Sequence, residues 1–146
     1  MSDPIGICGW LRLDGRLTSS GRLRAEDLPA LRSAGVRALL NLAPDDHEKA
    51  LPREAAAAAA SGLRYFHIPV AWTNPTERDF ALFCEAMAAC ATLPTHIHCI
   101  ANKRVSAFLY RYRRDVLGDD EAAARADLHK IWKPDGIWAD FIAPRP

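Results

Sequence analysis

The sequence lacks the features that direct a chain to a metal, a membrane or a nucleic acid. Lysine plus arginine number 19 and aspartate plus glutamate 18, so the net charge is +1 over 146 residues. Such a balance gives no overall attraction to nucleic acid or to an anionic membrane, and any anion site must be local. The four cysteines include no Cys-x-x-Cys pair, and no apolar run reaches the length of a membrane span. The first residues have no signal-peptide pattern, and we expect a reduced, cytoplasmic protein.

Apolar runs alternate with amphipathic segments along the whole chain. A length of 146 residues, 49% of them hydrophobic, suffices for one domain with a full core, and no repeat or linker divides it. A two-stranded ribbon is predicted around the Asp14-Gly15 turn, with Ser19, Ser20 and Gly21 breaking the chain after it. Further strands, each followed by a helix, are predicted at 36–42, 63–70 and 96–100. This order predicts an α/β fold of three layers, with a central mostly parallel sheet and helices on both faces.

Capping patterns set the expected helix boundaries. Asn74 is the predicted N-cap of one helix, with Pro75 at its first helical position and Glu77 reaching back to the cap.

In parallel sheets, ligands bind at the carboxyl ends of the strands. We therefore expect the segments that follow Leu42 and Val70 to converge on one crevice with the loop described next.

The segment from His98 to Ser106, HCIANKRVS, joins a predicted strand to a predicted helix through a short polar loop. The N–H groups of such a loop and the dipole of the following helix both favour a bound anion. The same positive field, with Arg104 and Lys103 nearby, favours the thiolate form of Cys99. The segment thus predicts cysteine-dependent phosphoryl or sulfur transfer.

HCIANKRVS resembles the phosphate-binding loop of cysteine-dependent protein tyrosine and dual-specificity phosphatases, in which His-Cys ends a strand and Arg-Ser/Thr opens a helix. The stretches 17–21, 36–42 and 65–70 are similar to the bacterial dual-specificity-like branch of these enzymes. The resemblance covers about residues 5–118. It implies a phosphotyrosine protein phosphatase-like fold and one phosphatase-like domain over residues 1–146.

The resemblance also implies roles for individual residues. Cys99 is the implied nucleophile, which forms a thiophosphate intermediate, and Arg104 the clamp on two phosphate oxygens. His98 is implied to help hold the thiolate, Ser106 to ease release of the cysteine, and the loop N–H groups to hold the oxygens. The expected substrate-binding residues are His98, Ile100, Ala101, Asn102, Lys103, Val105, Ser106 and Trp72. The expected partner is a phosphorylated protein or small molecule, or an inorganic oxyanion, without a metal or cofactor.

Two features depart from the phosphatase pattern. Four residues separate Cys99 from Arg104, where the pattern has five, and Asn102 stands where glycine is common. Asparagine tolerates a left-handed backbone better than most residues. The general-acid aspartate expected after the strand at 63–70 is also missing. Asp45, Asp46, His47 and Glu48, at the exit of the neighbouring strand, could replace it, and Asp46 is the predicted acid, although this run could instead cap the next helix in solvent.

Two other functions are compatible with the same loop. Rhodanese-like sulfurtransferases often have four residues between the cysteine and an arginine, and there Cys99 would carry a persulfide without any general acid. A catalytically weak phosphate- or oxyanion-binding module is the second alternative. Trp72 either lines the crevice and stacks on an aromatic substrate or packs within the core.

Overall fold

The computed structural model describes residues 2–145. Its five strands are β1 (Leu11–Arg12), β2 (Leu17–Ser20), β3 (Ala38–Asn41), β4 (Arg64–His67) and β5 (Thr95–His98). They form one sheet in the order β1-β2-β5-β3-β4. β1 pairs antiparallel with β2, and the other three pairings are parallel. The predicted mostly parallel sheet is thus confirmed, and so is the ribbon at its edge.

Six helices cover the two faces of the sheet within residues 2–145. They are α1 (Asp27–Ser33), α2 (Glu54–Ala60), α3 (Glu77–Ala89), α4 (Lys103–Asp115), α5 (Glu121–His129) and α6 (Gly136–Ile142). Side chains alternate along a strand, so Leu39 packs with α1 and α2, whereas Leu40 packs with α3, α4 and α6. α5 packs on the outer side of α4. The three-layer prediction is confirmed.

The end of the β1–β2 ribbon differs from the prediction. Ser19 and Ser20 do not break the chain but belong to β2, which pairs in parallel with β5. Both are buried with a hydrogen-bond partner: His96 Nε2 of β5 lies 2.7 Å from Ser20 Oγ, and Asn102 Nδ2 donates to Ser19 Oγ at 3.0 Å. The other ring nitrogen of His96, Nδ1, lies 2.8 Å from Thr18 Oγ1. Polar residues that satisfy one another inside the sheet leave no hydrophobic pattern in the sequence.

The start of α3 also differs from the prediction. Thr76, not Asn74, is the N-cap, because the Asp79 N–H donates to Thr76 Oγ1 and the Thr76 N–H donates to Asp79 Oδ2, both at 3.0 Å. This reciprocal capping box shifts the helix start two residues along the chain. None of the helices in the described part of the chain combines the length and hydropathy needed to cross a bilayer.

Candidate active site

A cleft of about 340 Å³ lies at the carboxyl ends of β3, β4 and β5. Its lining residues are His47, Trp72, Cys99, Ile100, Ala101, Lys103 and Arg104. His47 follows β3, Trp72 follows β4, and the others follow β5. The expected convergence of these three segments on one crevice is therefore confirmed.

Cys99 lies directly after β5 and only 1% of its surface is exposed. The loop from Cys99 is held from the β2 side, where the Arg22 N–H donates to the Ile100 carbonyl oxygen at 2.9 Å. Gly21 permits this approach, since a Cβ there would lie 2.5 Å from the same oxygen. The cysteine thus stands at a fixed position at the wall of the cleft.

Asn102 closes the loop in the left-handed conformation that its residue type predicts, with φ of 63°. Its Nδ2 donates to the Gly9 carbonyl at 2.9 Å and to Ser19 Oγ at 3.0 Å. The side chain therefore ties the loop to the first strands and does not line the cleft. Asn102 therefore contributes to the anion site through its left-handed backbone conformation and not through its side chain.

The first turn of α4 supplies free donors next to Cys99. The Ser106 N–H donates to the Asn102 carbonyl at 2.9 Å, as the first helical bond of α4. The N–H groups of residues 103–105 therefore have no acceptor within the helix. Together with the positive end of the helix dipole, they favour an anion at this end of α4.

Arg104 is 7% exposed, yet it lines the cleft. Its Nη1 donates to the Val70 carbonyl at 3.2 Å, and its Cζ lies 6.0 Å from the centroid of the Trp72 ring. These contacts fix the plane of the guanidinium. Among the described residues, Nε and Nη2 have no hydrogen-bond partner, and two such donors on one guanidinium can bind two oxygens of one anion.

Trp72 both lines the cleft and packs on other tryptophans. It is 44% exposed, and its ring centroid lies 5.5 Å from that of Trp132 and 5.4 Å from that of Trp138. Lys103 Nζ stands 5.4 Å from the Trp132 ring. One wall of the cleft is thus aromatic with a cation at its rim.

Val105 and Ser106, like Asn102 and His98, are predicted binding residues whose side chains do not line the cleft. Val105 is fully buried in the main core. Ser106 Oγ donates to the Lys103 carbonyl at 3.1 Å and accepts from Trp132 Nε1 at 3.1 Å. Val105 can therefore offer an anion only its N–H, and the role of Ser106 in releasing the cysteine stays a prediction.

The acidic loop after β3 brings one of its four candidate residues to the cleft, but not Asp46, the predicted acid. Asp46 is exposed in this loop, and its neighbour His47 lines the cleft. The Lys49 N–H donates to His47 Nδ1 at 3.0 Å, so the ring proton of His47 lies on Nε2. In sequence, His47 is distinguished only by its place in the acidic run.

Glu54 belongs to the site but has no recognisable signal in the sequence. Its Oε2 lies 2.7 Å from Nε2 of His98, and both side chains are buried. The His98 Nδ1 lies 3.2 Å from the carbonyl oxygen of its neighbour Cys99. Because Glu54 and His98 lie 44 positions apart in the chain, no local pattern could have paired them.

The site combines a buried cysteine and an arginine on a loop that joins a strand to a helix, at the edge of this mostly parallel sheet. These features define a protein of the cysteine-dependent, protein tyrosine phosphatase-like class. Within that class, the family model of the phosphatase-like domain of beta-lactamase hydrolase-like proteins matches residues 12–111. The chain belongs to this family.

Curated relatives support the same assignment. The beta-lactamase hydrolase-like protein of Agrobacterium fabrum is 34% identical over 132 residues, which are 87% of this chain and 29% of that protein. The Xylella fastidiosa (strain Temecula1) protein of the same name is 33% identical over 80% of this chain and 28% of its own length. The chain thus spans less than a third of these relatives.

Solved structures share the fold. A DUF442 protein from Shewanella putrefaciens CN-32 aligns with a TM-score of 0.82 and 30% identity over 94% of this chain and 88% of that one. The catalytic core of the phosphatase SIW14 from S. cerevisiae, in complex with citrate, has a TM-score of 0.74 at 17% identity, covering 93% and 85% of the two chains. TpbA from P. aeruginosa, in complex with pTyr, has a TM-score of 0.66 at 20% identity, covering 83% and 72%.

Proposed function

We propose that this chain is a cysteine-dependent phosphatase that hydrolyses a phosphomonoester in two steps. The observation that carries the proposal is that Cys99 and Arg104 line one cleft, at the two ends of a loop that opens α4. Membership of a phosphatase-like family supports it. The four-residue interval between the two side chains is closed by the left-handed Asn102.

In the first step, the Cys99 thiolate attacks phosphorus and the bond from phosphorus to the ester oxygen breaks. Arg104 holds two of the equatorial oxygens through Nε and Nη2, while its Nη1 stays on the Val70 carbonyl. The N–H groups of the loop and of the first turn of α4 hold the charge that develops on the oxygens. The product is a thiophosphate on Cys99 and a leaving group that needs a proton.

We assign that proton to Asp46, which is exposed in the loop that brings His47 to the cleft. Its neutral carboxyl group donates to the leaving oxygen and the resulting carboxylate accepts a proton from water in the second step. His47 is the weaker donor because the Lys49 N–H occupies its Nδ1; a ring that gave up the Nε2 proton would become an anion. We assign His47 a hydrogen bond to the substrate from Nε2.

In the second step, water attacks phosphorus and the sulfur–phosphorus bond breaks. Inorganic phosphate leaves and the Cys99 thiolate is regenerated. The exposed aromatic face of Trp72 favours an aryl ester in the cleft. No metal is needed for either step, because the cations and N–H groups of the loop neutralise the phosphoryl charge.

The test is hydrolysis of p-nitrophenyl phosphate by the wild type and by Cys99→Ser, with tungstate affinity and thiosulfate-to-cyanide sulfur transfer measured on the same preparations. We expect phosphate release from the wild type, none above background from Cys99→Ser, and tungstate binding by both. Sulfur transfer without phosphate release would replace the proposal by the rhodanese-like function. Tungstate binding without either activity would reduce the protein to an oxyanion-binding module.

A further inference from the structure

Glu54, the first residue of α2, and His98, the last residue of β5, form a buried pair. Glu54 Oε2 lies 2.7 Å from His98 Nε2, and only 5% and 4% of the respective side chains are exposed. A carboxyl group so far from water is costly without a partner, and the imidazole provides one. The pair lies next to the proposed nucleophile, because His98 immediately precedes Cys99.

The hydrogen bonds of His98 determine where its protons lie. Nδ1 is 3.2 Å from the carbonyl oxygen of Cys99, which can only accept, so Nδ1 carries a proton. Nε2 faces the Glu54 carboxyl at a separation typical of a charge-assisted bond from a cationic N–H to a carboxylate. A proton on both ring nitrogens makes His98 an imidazolium.

Two titratable groups, His96 and Tyr65, lie close to the pair. Burial lowers the pKa of His96, two residues earlier on β5, and the charge of His98 lowers it further. Burial raises the pKa of Tyr65 on β4, and the charges of Glu54 and Asp45 raise it further. The Tyr65 hydroxyl accepts from Asn41 Nδ2 at 3.0 Å, and the second carboxyl oxygen of Glu54, Oε1, is buried without a hydrogen-bond partner among the described residues.

We propose that Glu54 is a positioning residue of this site, whose carboxylate keeps His98 doubly protonated so that His98 holds the Cys99 carbonyl and places a positive charge beside the thiolate. The role rests on the proposed function, since it acts through Cys99. The same contact attaches the start of α2, and with it the end of the loop that carries Asp46 and His47, to the anion site.

The protonation of His98 can be measured without any turnover. Nitrogen-15 NMR of histidine-labelled protein distinguishes protonated from unprotonated ring nitrogens, and His98→Asn assigns the signals by their loss. We expect two protonated nitrogens in the wild type at pH 7. In Glu54→Gln the side-chain amide can donate to Nε2, so we expect a neutral ring that keeps its proton on Nδ1. A neutral ring in the wild type, or a doubly protonated ring in Glu54→Gln, would overturn the proposal.

The effect on the thiol is a second readout. We expect the pH midpoint for alkylation of Cys99 by iodoacetamide, followed on the Cys99 peptide by mass spectrometry, to rise by about one unit in Glu54→Gln, as for the loss of a nearby positive charge. Glu85→Gln, an exposed glutamate on α3, is the matched control and should leave the midpoint unchanged. An unmoved midpoint in Glu54→Gln would contradict the role.

These outcomes separate the two proposals. A wild type that hydrolyses no phosphate ester, but whose imidazolium is lost in Glu54→Gln, would overturn the proposed function and support the role of Glu54. If Glu54→Gln does not fold, the wild-type spectrum alone still decides whether His98 is an imidazolium, and Glu54→Asp, which keeps the charge, should retain it.

Discussion

Arg104 Nη1 donates to the carbonyl oxygen of Val70 at 3.2 Å, which joins the first turn of α4 to the segment after β4. The bond occupies one end of the guanidinium and orients the rest of it. A planar group with donors on two sides can hold the backbone and clamp an oxyanion at the same time, whereas an ammonium cannot.

Replacing Arg104 by lysine should therefore weaken oxyanion binding even though the charge is kept. We expect the Kd for tungstate, measured by calorimetry, to rise about tenfold or more, the cost of losing a charge-assisted hydrogen bond. Lys103→Arg, which keeps the charge at the rim of the same cleft, is the control. Equal affinities for the wild type and Arg104→Lys would exclude the two-point clamp.

The source of the leaving-group proton can be identified by comparing two substrates, one whose leaving group needs a proton and one whose leaving group does not. In Asp46→Asn we expect kcat for phenyl phosphate to fall about 100-fold, the usual contribution of a general acid. The fall for p-nitrophenyl phosphate should be much smaller, because nitrophenolate leaves without a proton.

His47→Gln is the matched comparison for Asp46→Asn. The amide N–H of glutamine can replace the Nε2–H of His47, so we expect a modest fall in kcat of similar size for both substrates. A fall confined to phenyl phosphate in His47→Gln, with Asp46→Asn unaffected, would transfer the acid role to His47.

The left-handed backbone at Asn102 predicts an unusual order of stabilities. Asn102→Gly and Asn102→Ala both lose the bonds to Gly9 and Ser19, but only alanine is strained at φ of 63°. We expect the free energy of unfolding of Asn102→Ala to be about 1 kcal/mol lower than that of Asn102→Gly. The difference is no larger because the greater freedom of glycine in the unfolded chain offsets part of the strain on alanine. Free energies of unfolding in urea give the comparison, and an alanine variant as stable as the glycine variant would refute it.

Much of the fold could be predicted because it depends on local patterns. The strand–helix alternation follows from periodicity, and the left-handed Asn102 follows from its residue type at a tight strand-to-helix turn. The strand position of Ser19 and Ser20 could not be predicted, because their burial depends on Asn102 and His96, residues distant in the chain that bond to their hydroxyl groups.

The site was predictable to the same extent and for the same reason. The loop residues and Trp72 are contiguous with predicted strands, so their convergence follows from the topology of a parallel sheet. Glu54 could not be found, since an alanine-rich helix beginning with glutamate is a common sequence and only the packing of α2 on the sheet brings it to His98. The choice between Asp46 and His47 at the cleft depends on side-chain directions in a loop, which residue types do not determine.

Away from the site, the pair of Glu77 and Arg111 predicts a pH-dependent contribution to stability. Arg111 is buried between aromatic rings, with its Cζ 4.1 Å from the Phe80 centroid and 4.8 Å from that of Phe141, and its Nη1 donates to Glu77 Oε2 at 2.8 Å. The hydrogen bond from Arg111 lowers the pKa of Glu77 from 4.5 to about 2. Because the folded pKa is the lower one, the stabilisation is complete above about pH 4.5 and is lost as the pH falls towards 2.

Glu77→Gln should therefore destabilise the protein at pH 7 and not in acid. The Glu77 side chain is 63% exposed, and solvent screening reduces the expected loss to about 1 kcal/mol or less. Urea unfolding at pH 7, 4 and 3 measures the difference in the free energy of unfolding between the wild type and the variant. This difference should decrease from pH 7 to 4 and again from pH 4 to 3. Glu85→Gln, exposed on the same helix, should show no such trend. A gap that stays constant from pH 7 to 3 would mean that the charge of Glu77 does not stabilise the fold through Arg111.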